Sequence, residues 1–203
     1  EELRVLFRKF LGAAAVPVVN FDDLETRTLA ARMKRLVSFG IDSGDATFGI
    51  EPGTIQEGAT GISAILVDRR EDQGHGLRLK VPGRHNLSNA LAAIAAADAV
   101  GVSVHQAVHA MASFTGLARR FDIVGTSPSG ITVIDDFGHN PEKCAATLAT
   151  LKARPGRVIA FFQPHGYGPL RQMGDKLAET FARMLTALDR RLAAQLLVVP
   201  SAE

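Results

Sequence analysis

The sequence predicts an α/β fold in two parts, residues 1–121 and 122–203, and three observations point to it. After Asp122 the apolar segments alternate strand, helix, strand, helix, strand, the order of an open α/β sheet. Before Asp122, short extended pieces separated by Gly- and acid-rich turns run into one long Ala-rich helix. The length, 203 residues, suits one large domain or two small ones.

The elements follow in chain order. Leu3, Phe7, Phe10 and Leu11 mark one face of a helix over 2–12, which stops near Gly12. A short apolar stretch occupies 15–19, and Asn20 and Asp22 are turn or cap residues for a second helix over 23–37. Segments 37–41, 46–50, 61–67 and 77–81 are predicted strands with hairpin-like links, closed by Pro82-Gly83. Residues 86–100 form the strongest helical pattern, with Gly101 just past its end. Ser103 caps a helix over 104–113. Its His105 and His109 share a face, but they lack the Glu of an H-E-x-x-H pattern and read as a solvated pair. Segments 123–125 and 131–134 flank the turn Ser127-Pro128-Ser129-Gly130. Asn140 as N-cap and Pro141 at the first helical position open a helix to 152. A buried parallel strand over 158–162, a helix over 169–188 and a strand over 196–199 complete the pattern.

Composition excludes several classes. With 46% hydrophobic and 22% charged residues the chain is globular, not disordered, collagenous or coiled-coil. A net charge of +2 from 23 basic and 21 acidic residues does not suggest a nucleic-acid partner. The longest nearly apolar run, 90–102, is broken by Asp98 and falls short of the ~20 residues a membrane span needs. One cysteine, Cys144, rules out an internal disulfide framework or a Cys-cluster zinc site, and fits a reducing compartment. The chain opens in mid-helix with no Met and no secretory-signal pattern, so a fragment of something longer is expected.

Four segments carry chemistry. In Gly83-Arg84-His85-Asn86-Leu87-Ser88-Asn89, two amides three residues apart sit at a helix start, where they either read a purine edge or serve as a plain cap with one back-bonding Asn. In Arg119-Arg120-Phe121-Asp122, an arginine at a domain junction suits a phosphate, or else pairs with Asp122 on the surface. In Asp135-Asp136-Phe137-Gly138-His139-Asn140-Pro141, two acids leave the carboxyl end of a strand ahead of a capped helix. That is where open α/β sheets bind ligands, and a carboxylate there accepts from ribose hydroxyls. In Phe162-Gln163-Pro164-His165-Gly166-Tyr167-Gly168-Pro169, a shaped loop presents His165 and Tyr167 for substrate contact or acid–base work, or simply braces itself.

Read in order, the four segments resemble the Mur ligase family, the ATP-dependent amino-acid ligases of peptidoglycan synthesis. Their G-x-H-N-x-x-N-A-L-A-A, R-R-F, D-D-[YF]-A-H-H-P and F-Q-P-H-R-Y-S-R motifs fall on Gly83–Ala93, Arg119–Phe121, Asp135–Pro141 and Phe162–Pro169. The resemblance implies the end of a central ATPase domain followed by an incomplete, Rossmann-like C-terminal domain. By position, His85, Asn86 and Asn89 resemble adenine contacts, Arg120 the phosphate arginine and Asp136 the ribose carboxylate. His139 and His165 resemble residues of the reaction centre. Asn140, Gln163, Tyr167 and Arg171 would lie near the amino-acid substrate. The implied reaction joins an amino acid or peptide to a UDP-N-acetylmuramate-type carboxylate through an acyl phosphate, with a closing hinge near Phe121 that excludes water. ATP use implies a cytoplasmic setting, and Mg²⁺ is implied with ligands outside this chain. No membrane partner is implied, and oligomeric state is left open.

The departures matter too. No G-x-x-x-x-G-K-[ST] phosphate loop occurs, so the chain by itself is expected to be inactive, the alternative being a non-catalytic nucleotide-binding or interaction module derived from such a ligase. Asn140 replaces the second histidine of H-H-P, while Gly166 and Pro169 replace two loop arginines, with Arg171 nearby.

Overall fold

The computed structural model describes residues 2–151, 154, 156–164, 166–189 and 195–198. The chain divides into two compact units, the first ending at Thr115 and the second beginning at Gly116, six residues before the boundary read from sequence. Among the described residues no helix is long and apolar enough to cross a membrane.

The first unit opens with α1 (Glu2–Ala13), β1 (Val18–Asn20) and α2 (Leu24–Ala30). Six strands follow as one sheet when β1 is joined by β2 (Val37–Phe39), β3 (Phe48–Ile50), β4 (Gln56–Glu57), β5 (Ile62–Asp68) and β6 (Gln73–Leu79). Strands β1, β2 and β3 are parallel; β5 then runs antiparallel to β3 and β4 along one edge and to β6 along the other. Of the expected hairpin-like links, therefore, β5–β6 is a hairpin and β2–β3 is not. The 23–37 helix is shorter than expected, because the chain must turn after Ala30 to bring Val37 into register with Val18. Strand β4 and the first half of β6 lacked a hydrophobic pattern and were not expected.

Burial follows periodicity. Ile62, Ala64 and Leu66 of β5 and Leu77 and Leu79 of β6 point to one side of the sheet. Against that side lies α3 (Arg84–Ala99), which buries Leu87, Ala90, Leu91, Ile94 and Ala95 at helical spacing, followed by α4 (Val104–Met111). In α1 only Leu11 of the expected face is buried; Leu3, Phe7 and Phe10 stay exposed.

One cation ties the β5–β6 turn to α3. Arg70 forks onto Asp68 through Nε (3.0 Å) and Nη2 (2.7 Å) and onto Asp98 through Nη1 (2.8 Å) and Nη2 (3.0 Å). Its guanidinium also lies 4.8 Å from the centroid of the Phe48 ring. Asp68 is 1% exposed. Burial pushes its carboxyl up, but the Arg70 hydrogen bonds and charge outweigh that and hold it below its ordinary value.

The second unit has a hairpin, β7 (Asp122–Thr126) and β8 (Thr132–Asp135), with a register shift between Ile123 and Gly125. Helix α5 (Pro141–Leu151), β9 (Ile159–Phe162), α6 (Tyr167–Asp189) and β10 (Gln195–Val198) follow, with β9 and β10 parallel. Cys144 and Leu148 of α5 pack with Leu177, Phe181 and Leu185 of α6, and the Phe162 ring lies 5.1 Å from that of Phe181. Strand β9 is parallel as expected but not fully buried: Phe162 is inward while Ile159 and Phe161 are exposed.

Removing the buried carboxylate leaves Arg70 without half of its partners. Asp68→Asn should cost about 2–3 kcal/mol of unfolding free energy at neutral pH in urea titrations. Because the folded carboxyl is depressed, its contribution is full above its ordinary value of 3.8 and declines as pH falls through the lower folded value. The variant should therefore show a shallower acid loss than the parent.

Candidate functional site

The carboxyl end of β8 delivers Asp135 and Asp136 into a five-residue connection to α5. The Asn140 side-chain oxygen accepts the Lys143 N–H at 2.9 Å and its carbonyl accepts the Cys144 N–H at 3.0 Å, so its amide caps its own helix. His139 is half-buried; its Nδ1 lies 3.1 Å from the Phe137 carbonyl oxygen, and the two rings stack tilted at 5.1 Å.

Asp136 is the centre of this loop. Its Oδ2 accepts the Phe121 backbone N–H at 2.8 Å, and its Oδ1 accepts the Thr147 hydroxyl from α5 at 3.0 Å. The segment it grips is strained: Arg119 and Phe121 have φ of 61° and 50°, a left-handed conformation that costs a non-glycine residue about 1–2 kcal/mol. A charge-assisted bond of about 1.5–3 kcal/mol offsets that cost. Further ties hold the same turn. The Phe137 N–H donates to the Arg119 carbonyl at 2.9 Å, and the Asp122 carboxylate accepts the Arg119 N–H at 3.2 Å.

The two arginines differ. The Arg119 guanidinium sits 4.9 Å from the Phe137 centroid and 3.6 Å from Asp135, so its ion pair is with Asp135, not Asp122. Arg120 lies over the same ring at 5.8 Å, with an exposed side chain. Carboxylate oxygens carry two lone pairs each, so Asp136 keeps acceptor capacity for a hydroxyl while holding the turn. The Arg120 guanidinium over the adjacent Phe137 ring is of a shape that suits phosphate oxygens.

Along β9 and α6, Gln163, Tyr167 and Arg171 are exposed, with Tyr167 in the first turn of α6. His165 lies outside the described residues.

In the first unit, Gly83 (φ 95°) precedes α3 in a conformation that disfavours any side chain. The helix therefore starts at Arg84, which places His85 and Asn86 in the first turn and Asn89 one turn later. The Asn86 amide donates to the Pro82 carbonyl at 2.8 Å, the back-bonding arrangement. Asn89 is exposed and His85 partly buried. Among the described residues no three His, Cys, Asp or Glu side chains gather to hold a metal ion.

Sequence reasoning did not find Thr147 or the Phe121 amide. A signal for the first existed: Thr147 sits in the inward stripe Cys144, Leu148, Leu151, where a hydroxyl needs a partner. Burial, with the Asp136 charge second, pushes the Cys144 thiol up to about 11. Cys144 should thus react with a disulfide reagent at pH 8 only after denaturant is added. Rapid labelling of the folded chain would show that α5 does not seal this core.

The Mur ligase middle-domain family model matches residues 3–97, and the Mur ligase, glutamate ligase domain model matches 119–201. The UDP-N-acetylmuramate–L-alanine ligase of Chelativorans sp. is 35% identical over 190 residues, 89% of this chain and 40% of the relative. That of Clostridium acetobutylicum is 36% identical over 167 residues, 81% of this chain and 35% of the relative. The chain thus spans about two fifths of the length of these curated relatives. Among solved structures, the UDP-N-acetylmuramate–alanine ligase of Thermotoga maritima superposes with a TM-score of 0.70 at 26% identity, covering 98% of this chain and 46% of that one. A Thermotoga maritima MurF ligase in complex with ADP shares the fold, with a TM-score of 0.69 at 17% identity over 93% of this chain and 44% of that one.

Proposed function

We propose, since this chain belongs to the Mur ligase family, that it is the nucleotide-contacting portion of an ATP-dependent amide ligase. The whole enzyme joins an amino acid or peptide to a UDP-N-acetylmuramate-type carboxylate in the cytoplasm. The observation that carries this reading is the order of the two family domains along the chain, with the Asp136 loop at a strand's carboxyl end in the second.

In this reading ATP supplies a phosphoryl group that turns the carboxylate into an acyl phosphate, which the amine then attacks with release of phosphate. The residues of this chain bind and orient. Asn89, with His85 and Asn86 beside it, meets the adenine edge; Asp136 accepts from the ribose hydroxyls; Arg120 meets the phosphates. His139, Asn140, Gln163, Tyr167 and Arg171 contact the amine-bearing substrate, and His165 is assigned with His139 to proton transfer by its place in the sequence motif alone. Asn140 contributes there only through what its cap leaves free. Mg²⁺ belongs to residues outside this sequence, as does the phosphate loop that the sequence lacks. This chain alone binds nucleotide weakly and ligates nothing.

The test is an ADP titration of the chain by calorimetry and by NMR. Asn89→Ala and Asp136→Ala should each weaken binding by about fivefold or more. Asn89 is the cleaner probe of the adenine contact, because Asn86→Ala also removes the bond to Pro82. ADP affinity indifferent to both substitutions would displace the nucleotide from these residues.

A further inference from the structure

We infer that Asp136 is also a positioning residue: it latches the left-handed Arg119–Phe121 turn, and through that turn aims Arg120, with Thr147 fixing the carboxylate's orientation. The family reading uses Asp136 as a ligand contact; the structure adds a second task for the same side chain, and the inference rests on that reading only for what Arg120 then meets.

Two residues of a three-residue stretch hold left-handed φ values without being glycine, so the local backbone does not favour the turn by itself. Four hydrogen bonds over-determine it, one of them from the Arg120 N–H to the Leu117 carbonyl at 3.1 Å. Two of them, Phe137 N–H to Arg119 carbonyl (2.9 Å) and Arg119 N–H to Asp122 (3.2 Å), act at Arg119. Among the described residues only the Asp136 hydrogen bond acts at the Phe121 amide, on the carboxyl side of Arg120, while the Arg154 guanidinium lies 5.9 Å from the centroid of the Phe121 ring. Phe121 itself is 6% exposed, so its amide has little water to turn to. Arg120 therefore sits between two pinned neighbours, and its guanidinium lies over the Phe137 ring. Thr147 occupies the other carboxylate oxygen and prevents rotation away from Phe121. A ligand hydroxyl arriving at Asp136 meets a carboxylate already engaged with the turn, so the ribose contact and the phosphate arginine share one anchor.

Hydrogen exchange and side-chain NMR on this chain test the latch without any ligand. In Asp136→Ala the Phe121 amide should exchange about tenfold faster or more, and the Arg120 δ- and ε-protons should lose the ring-current shift given by Phe137. Asp136→Asn keeps an acceptor oxygen and should retain both signatures in large part. Thr147→Val, which leaves the charge and the fold in place, should give an intermediate acceleration at Phe121, and it decides the matter if Asp136→Ala does not fold. Arg120 resonances unmoved in Asp136→Ala, or Phe121 exchange unmoved in Thr147→Val, would overturn the inference. Failure of the ligand reading is separable: ADP affinity unchanged by Asp136→Ala alongside a released Arg120 would sink the nucleotide contact and leave the latch standing.

Discussion

Carboxylates at the carboxyl ends of strands hold the loops of both units. Asp22, two residues past β1, accepts the N–H groups of Ile41 (2.6 Å), Asp42 (3.1 Å) and Ser43 (2.9 Å) and the Ser43 hydroxyl (2.8 Å). Asp68 closes β5 and takes both the Arg70 backbone N–H, at 3.0 Å, and its guanidinium. Asp136 does the same for the Phe121 amide and the Thr147 hydroxyl. The common physics is the obligation to satisfy backbone donors that no ladder reaches, which an ionised acceptor meets about twice as strongly as a neutral one. The first case imposes a further constraint: a Cβ on Gly40 would stand 2.7 Å from Asp22 Oδ1, so only glycine lets the loop close on its anchor.

These anchors explain what was and was not legible in the sequence. Periodic elements were legible because their cause is local: α3 repeats its apolar residues at helical spacing, and Asn140-Pro141 spells a helix start within two positions. The Asn86 back-bond reaches only four residues, and it was one of two readings the residue types allowed. The Asp136 contacts span 15 and 11 residues, and nothing in a linear pattern marks which amide a carboxylate will find. The end of α2 and the parallel pairing of β2 with β3 were missed for a related reason. Both are set by the sheet register that Val37 and Phe48 must join, which overrides helix propensity after Ala30. Strand β4, with Gln56 and Glu57 both exposed, carries no apolar signal at all.

Three of the four motif segments sit where a strand or turn meets a helix, and Arg119–Asp122 sits where a turn enters β7; such junctions concentrate Gly, Pro, Asn and Asp for conformational reasons. That same fact makes each motif ambiguous alone. Asn140 illustrates it: its amide caps α5, a task any helix start demands, so its position near a site and its role in the fold coincide. Gly83 is the opposite case. Its φ of 95° favours glycine, it has no side chain with which to cap α3, and its carbonyl accepts the Asn86 and Leu87 N–H groups at 3.0 and 3.3 Å.

The two arginines show how one aromatic ring divides labour. Phe137 presents one ring to both, at 4.9 Å and 5.8 Å, and each gains from its negative face. Arg119 is further committed: its carbonyl and amide are bonded, its backbone is left-handed, and Asp135 stands 3.6 Å from its Nε. Recruiting it to an anion would break that ion pair and expose Asp135 as an uncompensated acid beside the same ligand. Among the described residues no ion pair forms at Arg120, and its departure toward an anion forfeits only the longer of the two ring contacts. On the proposed reading an anion at this turn would be met by Arg120 while Arg119 neutralises Asp135, and the pair Arg119–Asp135 would keep the carboxylate-rich end of β8 from repelling it.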